Sequence, residues 1–313
     1  MAAFFLGFDV NGRLAYTKPA LTTEAQAELL LRRGLVADRS ILIERLSHVN
    51  YYRLSAYWYP FKLQDDNFKE GTSFEQIWRR YTFDRQIRLL LMDVIERIEV
   101  SVRTIMVNVF ALKFGAFGHL EAANFSSERT GENNDRHTKF LEKLREEAKR
   151  SQDEFIRHSR MTYCKWPDLP LWKAAEIMSF GNMFTMFRML EHNLKKEISS
   201  RYDLPAVVFE SWLDSLNYIR NVCAHHGRLW NRILAIKPKI PNRKNRPDFH
   251  HPISLENNRI FSLLTASKYM LDIIAHQSKW KNRLICLLEE YPDIPINEMG
   301  FPERWEQIPI WIV

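Results

Sequence analysis

Residues 81–115 read YTFDRQIRLLLMDVIERIEVSVRTIMVNVFALKFG, and this segment decides the fold class. Its apolar residues recur at intervals of three and four positions, which places them in one continuous stripe along a helix. The stripe consists of Ile87, Leu91, Val94, Ile98, Val102, Ile105 and Val109. A stripe of this length predicts one long amphipathic helix at the centre of a helical core.

The other side of this helix is predicted to be polar. It carries Arg88, Glu96, Glu99 and Arg103. Glu99 and Arg103 are four residues apart, which is the spacing of an ordinary ion pair on a helix surface. We therefore interpret this pair as structural.

Composition agrees with a folded, helical protein. The chain has 313 residues, of which 46% are hydrophobic and 27% charged, and it has only 10 glycines. Such values are typical of globular chains, and scarce glycine favours helices over turn-rich β architecture. Length suggests one large domain or two moderate ones. With no internal repeat and no alternation of strands and helices, we expect an all-α fold.

Local patterns predict where several helices begin and end. Thr23 and Gln26 have capping-box spacing, and Asp38 is placed to cap the next helix. Gly181 interrupts an apolar segment that begins near Asp168, which predicts a helix break or close packing. Pro292 is expected to end the last helical segment.

Two further segments differ in character. Residues 50–62, NYYRLSAYWYPFK, are crowded with aromatics, and we interpret them as structural, either core or docking surface, rather than as a platform for stacked bases, because aromatic rings bury large areas. Residues 119–165 are polar and charged, so they are predicted to form a loop and a solvated helix outside the core.

The location is predicted to be cytoplasmic, without a membrane span. The 3 cysteines are far apart, which argues against a disulfide framework and for a reducing compartment. The start, MAAFFLGFDVNGR, has no basic region before its apolar residues, unlike a secretory signal. No apolar run is long enough to cross a bilayer.

Positive charge is concentrated in one segment, residues 236–251, which read IKPKIPNRKNRPDFHH. The formal net charge of the chain is +7, which permits a polyanionic partner. Prolines in the segment predict an extended loop. A solvated linker and a track for nucleic-acid phosphates both fit it. Its basic residues are Lys237, Lys239, Arg243, Lys244 and Arg246.

Residues 218–232, YIRNVCAHHGRLWNR, combine several groups that can carry chemistry. Projected on a helix, Cys223 and His226 fall on the same side as the apolar Trp212, so both are predicted to point inward. The opposite, outward side carries Arg220, Asn221 and His225.

The outward residues suit RNA cleavage. An imidazole with an unperturbed pKa of about 6.5 can take a proton from a hydroxyl, and a guanidinium can hold a phosphate. RNA supplies its own nucleophile, the 2′-hydroxyl, so no metal is required. An ordinary exposed helix face also fits, and so does a metal site, although its candidate ligands lack regular zinc-motif spacing. Those candidates are Cys223, His225, His226, His250 and His251.

The pattern of Arg220, Asn221 and His225 resembles the R-x4-H motif of HEPN-superfamily ribonucleases. Five stretches are similar to the abortive-infection family of phage-resistance proteins, of the AbiD and AbiF type, and they occur in the family's order. They are KPALTTEAQAELLLRRGL (18–35), HVNYYRLSAYWYPF (48–61), FDRQIRLLLMDVIERIEVSVRT (83–104), LPLWKAAEIMSFGNM (169–183) and NYIRNVCAHHGRLWNR (217–232).

This resemblance implies an all-α, HEPN-type helical bundle with additional N-terminal and C-terminal helices. The expected organisation is an N-terminal helical region at 1–80, a HEPN-like core with the motif at 81–235, and the basic loop with C-terminal helices at 236–313. It further implies a homodimer in which two motifs meet, and control by a noncoding RNA or another antitoxin.

The activity implied is that of a metal-independent endoribonuclease without a cofactor. It acts as a toxin in antiviral defence and leaves a 2′,3′-cyclic phosphate and a 5′-hydroxyl. Arg220, Asn221 and His225 occupy the motif positions. His226, Glu96 and Glu176 are candidates to support the site, and the five basic residues of 236–251 are candidates to bind RNA. The alternative is a non-catalytic, RNA-binding or regulatory HEPN protein in a defence system.

Overall fold

The computed structural model describes Tyr16 and residues 18–312. The prediction about the first residues, MAAFFLGFDVNGR, therefore lies outside the described part of the chain. None of the described helices has a stretch both long and apolar enough to cross a membrane.

The described residues form helices joined by turns and loops. The α-helices are α1 (Thr23–Arg32), α2 (Arg39–His48), α3 (Tyr51–Trp58), α4 (Phe74–Phe114), α5 (Asp135–Arg150), α6 (Glu154–Thr162), α7 (Leu171–Glu176), α8 (Phe180–Met189), α9 (His192–Ser200), α10 (Ala206–Ala224), α11 (Ile260–Ile274), α12 (Trp280–Glu290) and α13 (Pro309–Ile312). Within these residues, β structure is limited to two isolated bridges. The predicted all-α class is confirmed.

Helix α4 is the long helix that the apolar stripe predicts, and it has 41 residues. Six of the seven stripe residues are buried, and Ile105 is half-buried. The ion pair between Glu99 and Arg103 is confirmed. The polar assignment of Arg88 is wrong, because this side chain is buried beside Asp84.

The chain forms two compact units, residues up to Thr82 and residues from Phe83. In the first unit, α1 packs on α2, and the core includes Tyr57 and Trp58 from the aromatic segment 50–62. Tyr52 and Tyr59 of the same segment are exposed, so only part of the aromatic cluster belongs to the core.

The helix starts in the first unit are set by side-chain caps. Asp38 caps α2 as predicted, since its carboxylate accepts the backbone N–H groups of Ser40 and Ile41. The predicted cap of α1 is displaced by one residue, because Thr22 rather than Thr23 accepts the N–H of Ala25. Each cap satisfies backbone N–H groups of the first helical turn, which have no carbonyl partner within the helix.

In the second unit, α10 packs against α8, α9 and α11, and α5 packs against α8. The prediction that 119–165 lies outside the core is therefore wrong for α5. Phe140, Leu144 and Ala148 recur every four residues on α5 and are buried in the main core. The many charged residues of α5 lie on its other side, and their number is why the sequence predicted a solvated helix.

The apolar segment around Gly181 forms two helices, α7 and α8, rather than one. The break falls at residues 177–179, just before the glycine, and the Ser179 hydroxyl caps α8 by accepting the N–H of Asn182.

Helix α12 ends at Glu290, two residues before Pro292, as predicted.

Candidate functional site

The end of α10 positions the motif residues. His225 is the C-cap residue, the N–H of His226 donates to the carbonyl of Cys223 at 3.0 Å, and the N–H of Gly227 donates to the carbonyl of Val222 at 2.7 Å. This pair of bonds is a Schellman motif. A Cβ on Gly227 would lie 2.9 Å from a methyl of Val222, so the close approach requires glycine.

His226 adopts the left-handed conformation that the motif needs, with φ 56°. Its side chain is exposed, so the prediction that His226 points inward is wrong. The projection assumed that the helix continues to residue 226, whereas α10 ends at Ala224. Cys223, which lies inside the helix, is buried as predicted.

The three motif residues lie together at this helix end. Asn221 and His225 are exposed and Arg220 is half-buried. The Arg220 guanidinium donates to Asn221 Oδ1 at 3.4 Å. The predicted outward orientation of Asn221 and His225 is confirmed. These residues form a polar face that solvent and a partner can reach.

An acid–arginine group on α4 lies next to Arg220. Burial raises the pKa of the Glu99 carboxyl, Glu96 adds to that shift, and the guanidiniums of Arg103 and Arg220 oppose it. Arg103 also donates to the carbonyl of Met178 at 2.9 Å, which ties α4 to the segment between α7 and α8. Arg220 is therefore held in an electrostatic group rather than on an isolated surface.

The start of α8 completes the surroundings of the motif. A Cβ on Gly181 would lie 3.7 Å from Asn217 Oδ1, one helical turn before Asn221 on α10. Two predicted supporting residues lie on other helices. Glu96 is exposed on α4, and Glu176 is exposed at the last position of α7.

The chain that follows the motif is anchored by a buried carboxylate. Asp84, with no exposed surface, accepts the N–H groups of Leu229 at 2.9 Å and Trp230 at 2.5 Å. It also pairs with Arg88, whose guanidinium donates to the carbonyl of Gly227 at 3.4 Å. Because these residues directly follow the Schellman motif, Asp84 and Arg88 fix the exit of the chain from α10.

The interpretation as a metal site is not supported. Among the described residues, no group of three or more His, Cys, Asp or Glu side chains is placed to hold a metal ion. Burial raises the pKa of the Cys223 thiol to about 12, which disfavours the thiolate that binds metals. His250 Nε2 lies 2.6 Å from the carbonyl of Pro241 instead.

The basic segment 236–251 lies at the opposite end of α10. The Ser211 hydroxyl accepts the N–H of Lys239 at 3.0 Å, and the Trp212 indole donates to the carbonyl of Lys239 at 2.8 Å. At a rise of 1.5 Å per residue, Ser211 is about 20 Å along the helix from His225. The structure therefore does not bring Lys237 and Lys239 to the motif.

The five predicted RNA-binding residues differ in their surroundings. Lys237, Lys239, Arg243 and Lys244 are exposed. Arg246 is occupied within the protein, because it pairs with Asp203 and Asp248 and lies 4.3 Å over the ring of Tyr269. The hydrogen bond to Asp248 raises the pKa of Arg246. We therefore leave Arg246 out of the proposed RNA contacts.

Sequence reasoning missed the role of Asp84, although a signal was present. Asp84 precedes Ile87 by three residues and Leu91 by seven, so it occupies a position on the buried stripe of α4. A carboxylate at such a position requires internal partners. Asn217 gave no comparable signal, because its closeness to Gly181 depends on how α8 packs against α10.

These features define an all-helical protein with an exposed Arg–Asn–His group at one helix end. Residues 44–231 match the protein-family model described as Abi-like protein. This match covers more than half of the chain, and the chain therefore belongs to the Abi-like protein family. Family membership links it to abortive-infection phage defence. No curated protein and no solved structure gives a significant match.

The buried Asp84 network leads to a stability prediction. Asp84→Ala leaves Arg88 without its charge partner and two backbone donors unsatisfied, so we expect the free energy of unfolding to fall by about 3–5 kcal/mol. Urea unfolding followed by circular dichroism measures the change. Asp135→Ala, which removes only the exposed ion pair with Lys139, serves as the control. Equal midpoints for the two variants would contradict the anchoring role.

Proposed function

We propose that this protein is a metal-independent HEPN endoribonuclease that acts as a toxin in abortive-infection phage defence. The observation that carries the proposal is the exposed group of Arg220, Asn221 and His225 at the end of α10. Membership of the Abi-like family supports the defence role. The match of this group to the R-x4-H pattern supports the ribonuclease assignment.

The proposed reaction uses the 2′-hydroxyl of RNA as the nucleophile. The His225 imidazole takes the hydroxyl proton, and the 2′-oxygen forms a bond to phosphorus while the bond to the 5′-oxygen breaks. The products are a 2′,3′-cyclic phosphate and a 5′-hydroxyl. A second imidazole, supplied by the paired chain, returns a proton to the leaving 5′-oxygen.

Arg220 is the proposed electrostatic group. Its guanidinium can donate two hydrogen bonds to non-bridging phosphate oxygens as charge builds on them. Arg220 interacts electrostatically with the Glu99 carboxyl on α4, and its guanidinium donates to Asn221 Oδ1 at the exposed face. Asn221, one turn before His225, is placed to orient the ring or hold the substrate.

A homodimer is part of the proposal because one exposed motif does not enclose a substrate. Helix α4 supports it: Leu89 is 56% exposed and Val100 is 48% exposed, on the same side as Glu96 and Arg103. Glu96 and Val100 also line a shallow, mainly apolar groove of about 480 Å³ beside the end of α11. An apolar face that adjoins the motif suits a second copy of the chain.

RNA is the proposed substrate, and a noncoding RNA or another antitoxin is the proposed inhibitor. The exposed Lys237, Lys239, Arg243 and Lys244 are proposed to contact RNA phosphates away from the cleaved bond. Their distance from His225 along α10 means that only an RNA longer than a few nucleotides would reach both places.

The nuclease proposal predicts that His225→Ala loses RNA cleavage in excess EDTA. Removal of a general acid–base group costs roughly 100-fold or more in rate. The assay compares the fragments of total RNA produced by the parent, by His225→Ala and by the matched exposed-histidine control His48→Ala, at the end of α2. The control should cleave like the parent, and circular dichroism checks that each variant is folded.

Two outcomes would count against the nuclease. Cleavage by the parent that stops in EDTA would contradict a metal-independent reaction. A folded His225→Ala or Arg220→Ala chain that still protects and poisons cells as the parent does would favour the non-catalytic, regulatory HEPN protein.

The dimer predicts a separate result. Val100→Asp places a charge on the exposed face of α4, so we expect the chain to become monomeric and to lose cleavage while it stays folded. Light scattering after size-exclusion chromatography measures the mass. Leu112→Asp is the control, since Leu112 is 90% exposed on the same helix but far from the motif. A parent chain that is monomeric and active would overturn the dimer.

A further inference from the structure

A cleft of about 590 Å³ lies between α6 and the start of α7, apart from the motif. Its lining includes four aromatic residues, Phe117, Tyr163, Trp166 and Trp172, together with Lys165 and Lys173. Large rings are normally buried because they remove much apolar surface from water. Here, however, Tyr163 is 53% exposed and Trp172 is 50% exposed.

Cations lie directly against these rings. Lys165 Nζ is 4.2 Å from the ring centroid of Phe117, and Lys173 Nζ is 5.3 Å from that of Tyr163. A third cation, Arg160, lies 5.8 Å from the ring of Trp166. The cleft therefore combines aromatic surface with positive charge close to the rings.

The carboxylate of Asp168 does not neutralise the positive charge of Lys165 and Lys173. Asp168 lines the cleft, but both carboxylate oxygens accept hydrogen bonds from Arg145, at 2.7 and 3.2 Å. The charge that remains for a ligand is positive. A ligand with flat aromatic groups joined by anionic links complements this combination better than an apolar peptide does.

We propose that the α6–α7 cleft binds unpaired bases of the RNA strand, stacked on Trp172 and Tyr163, with the adjoining phosphates at Lys165 and Lys173. Stacking on aromatic side chains beside a positively charged surface is how proteins hold single strands without reading their sequence. This inference rests on the proposed function, because it names the strand that flanks the cleaved bond as the ligand.

The chain connects the cleft to the surroundings of the motif. Trp172 lies on α7, and Met178, which accepts a hydrogen bond from Arg103, follows six residues later. Four of these residues are helical and two lie in the break at 177–179, so the separation is on the order of 10 Å. Because Arg103 pairs with Glu99, which interacts electrostatically with Arg220, a strand on Trp172 needs only a few more nucleotides to reach the motif.

The cysteines provide a direct test without disturbing the cleft. Cys164 is exposed and lines the cleft, Cys286 is exposed elsewhere, and Cys223 is buried. The full-length His225→Ala chain, which leaves RNA intact, is alkylated with iodoacetamide in EDTA with and without a single-stranded RNA oligonucleotide. We expect RNA to slow alkylation of Cys164 several-fold, with the rate at Cys286 unchanged, as measured by mass spectrometry.

Substitutions in the same background test the stacking. Trp172→Ala should weaken binding of the oligonucleotide roughly tenfold, the loss expected for one stacked base, and Trp172→Phe should restore most of it. Fluorescence anisotropy gives the dissociation constants. Tyr59→Ala is the matched control, because Tyr59 is 76% exposed and lies outside the cleft. Lys165→Ala should lower the slope of affinity against salt by about 0.7.

The outcomes separate this inference from the proposed function. If the oligonucleotide binds and the parent cleaves RNA, but Cys164 is unprotected and Trp172→Ala binds normally, the RNA lies elsewhere and the cleft inference alone is overturned. A partner protein would then be the better occupant. If the chain neither binds nor cleaves RNA, the proposed function fails and the cleft inference fails with it.

Discussion

The arrangement of the motif depends on one buried carboxylate. Asp84 has no access to solvent, and its oxygens are taken up by Arg88 and by the N–H groups of Leu229 and Trp230. A buried charge is tolerated only when it is paired and hydrogen-bonded. Asp84 is therefore stable only in a geometry where Arg88 and the two N–H groups can all reach its oxygens. That geometry holds the chain just after α10 against α4, and it thereby determines where α10 must end.

The end of α10 in turn leaves the motif side chains accessible. Because α10 ends at Ala224, His225 lies at the C-cap, where its side chain is exposed, while Cys223, two residues earlier, remains in the core. The same helix thus supplies a buried apolar side and a polar terminus. Glu99 on α4 interacts electrostatically with Arg220 on α10, so two helices of the core contribute to the proposed site.

Sequence periodicity was a sound guide inside the helices and failed at their ends. The stripe of α4 and the outward side of α10 were predictable because the period of 3.6 residues holds within a helix. The inward prediction for His226 failed because the period no longer applies after Ala224, and Gly227 was the available sign of a helix end. Arg88 was predicted to be exposed, but it is buried because its partner, Asp84, lies on the apolar stripe. Helix α5 was predicted to lie outside the core because its charged residues outnumber its buried ones. The closeness of Asn217 and Gly181 depends on packing between helices, which no local pattern contains. The abortive-infection family is confirmed, whereas the HEPN mechanism stays a prediction.

The central claim is that the Arg220 and His225 face uses the 2′-hydroxyl of the substrate as its nucleophile. The most direct measurement compares two oligonucleotides that differ only by a single 2′-deoxynucleotide at the mapped cleavage position, incubated with the parent chain in EDTA. If the 2′-hydroxyl is the nucleophile, the all-RNA strand is cut, with a 2′,3′-cyclic phosphate at the new end, and the deoxy-substituted strand stays intact at that position. Cleavage of both strands at the same bond, or a product with a free 3′-hydroxyl, would contradict the claim.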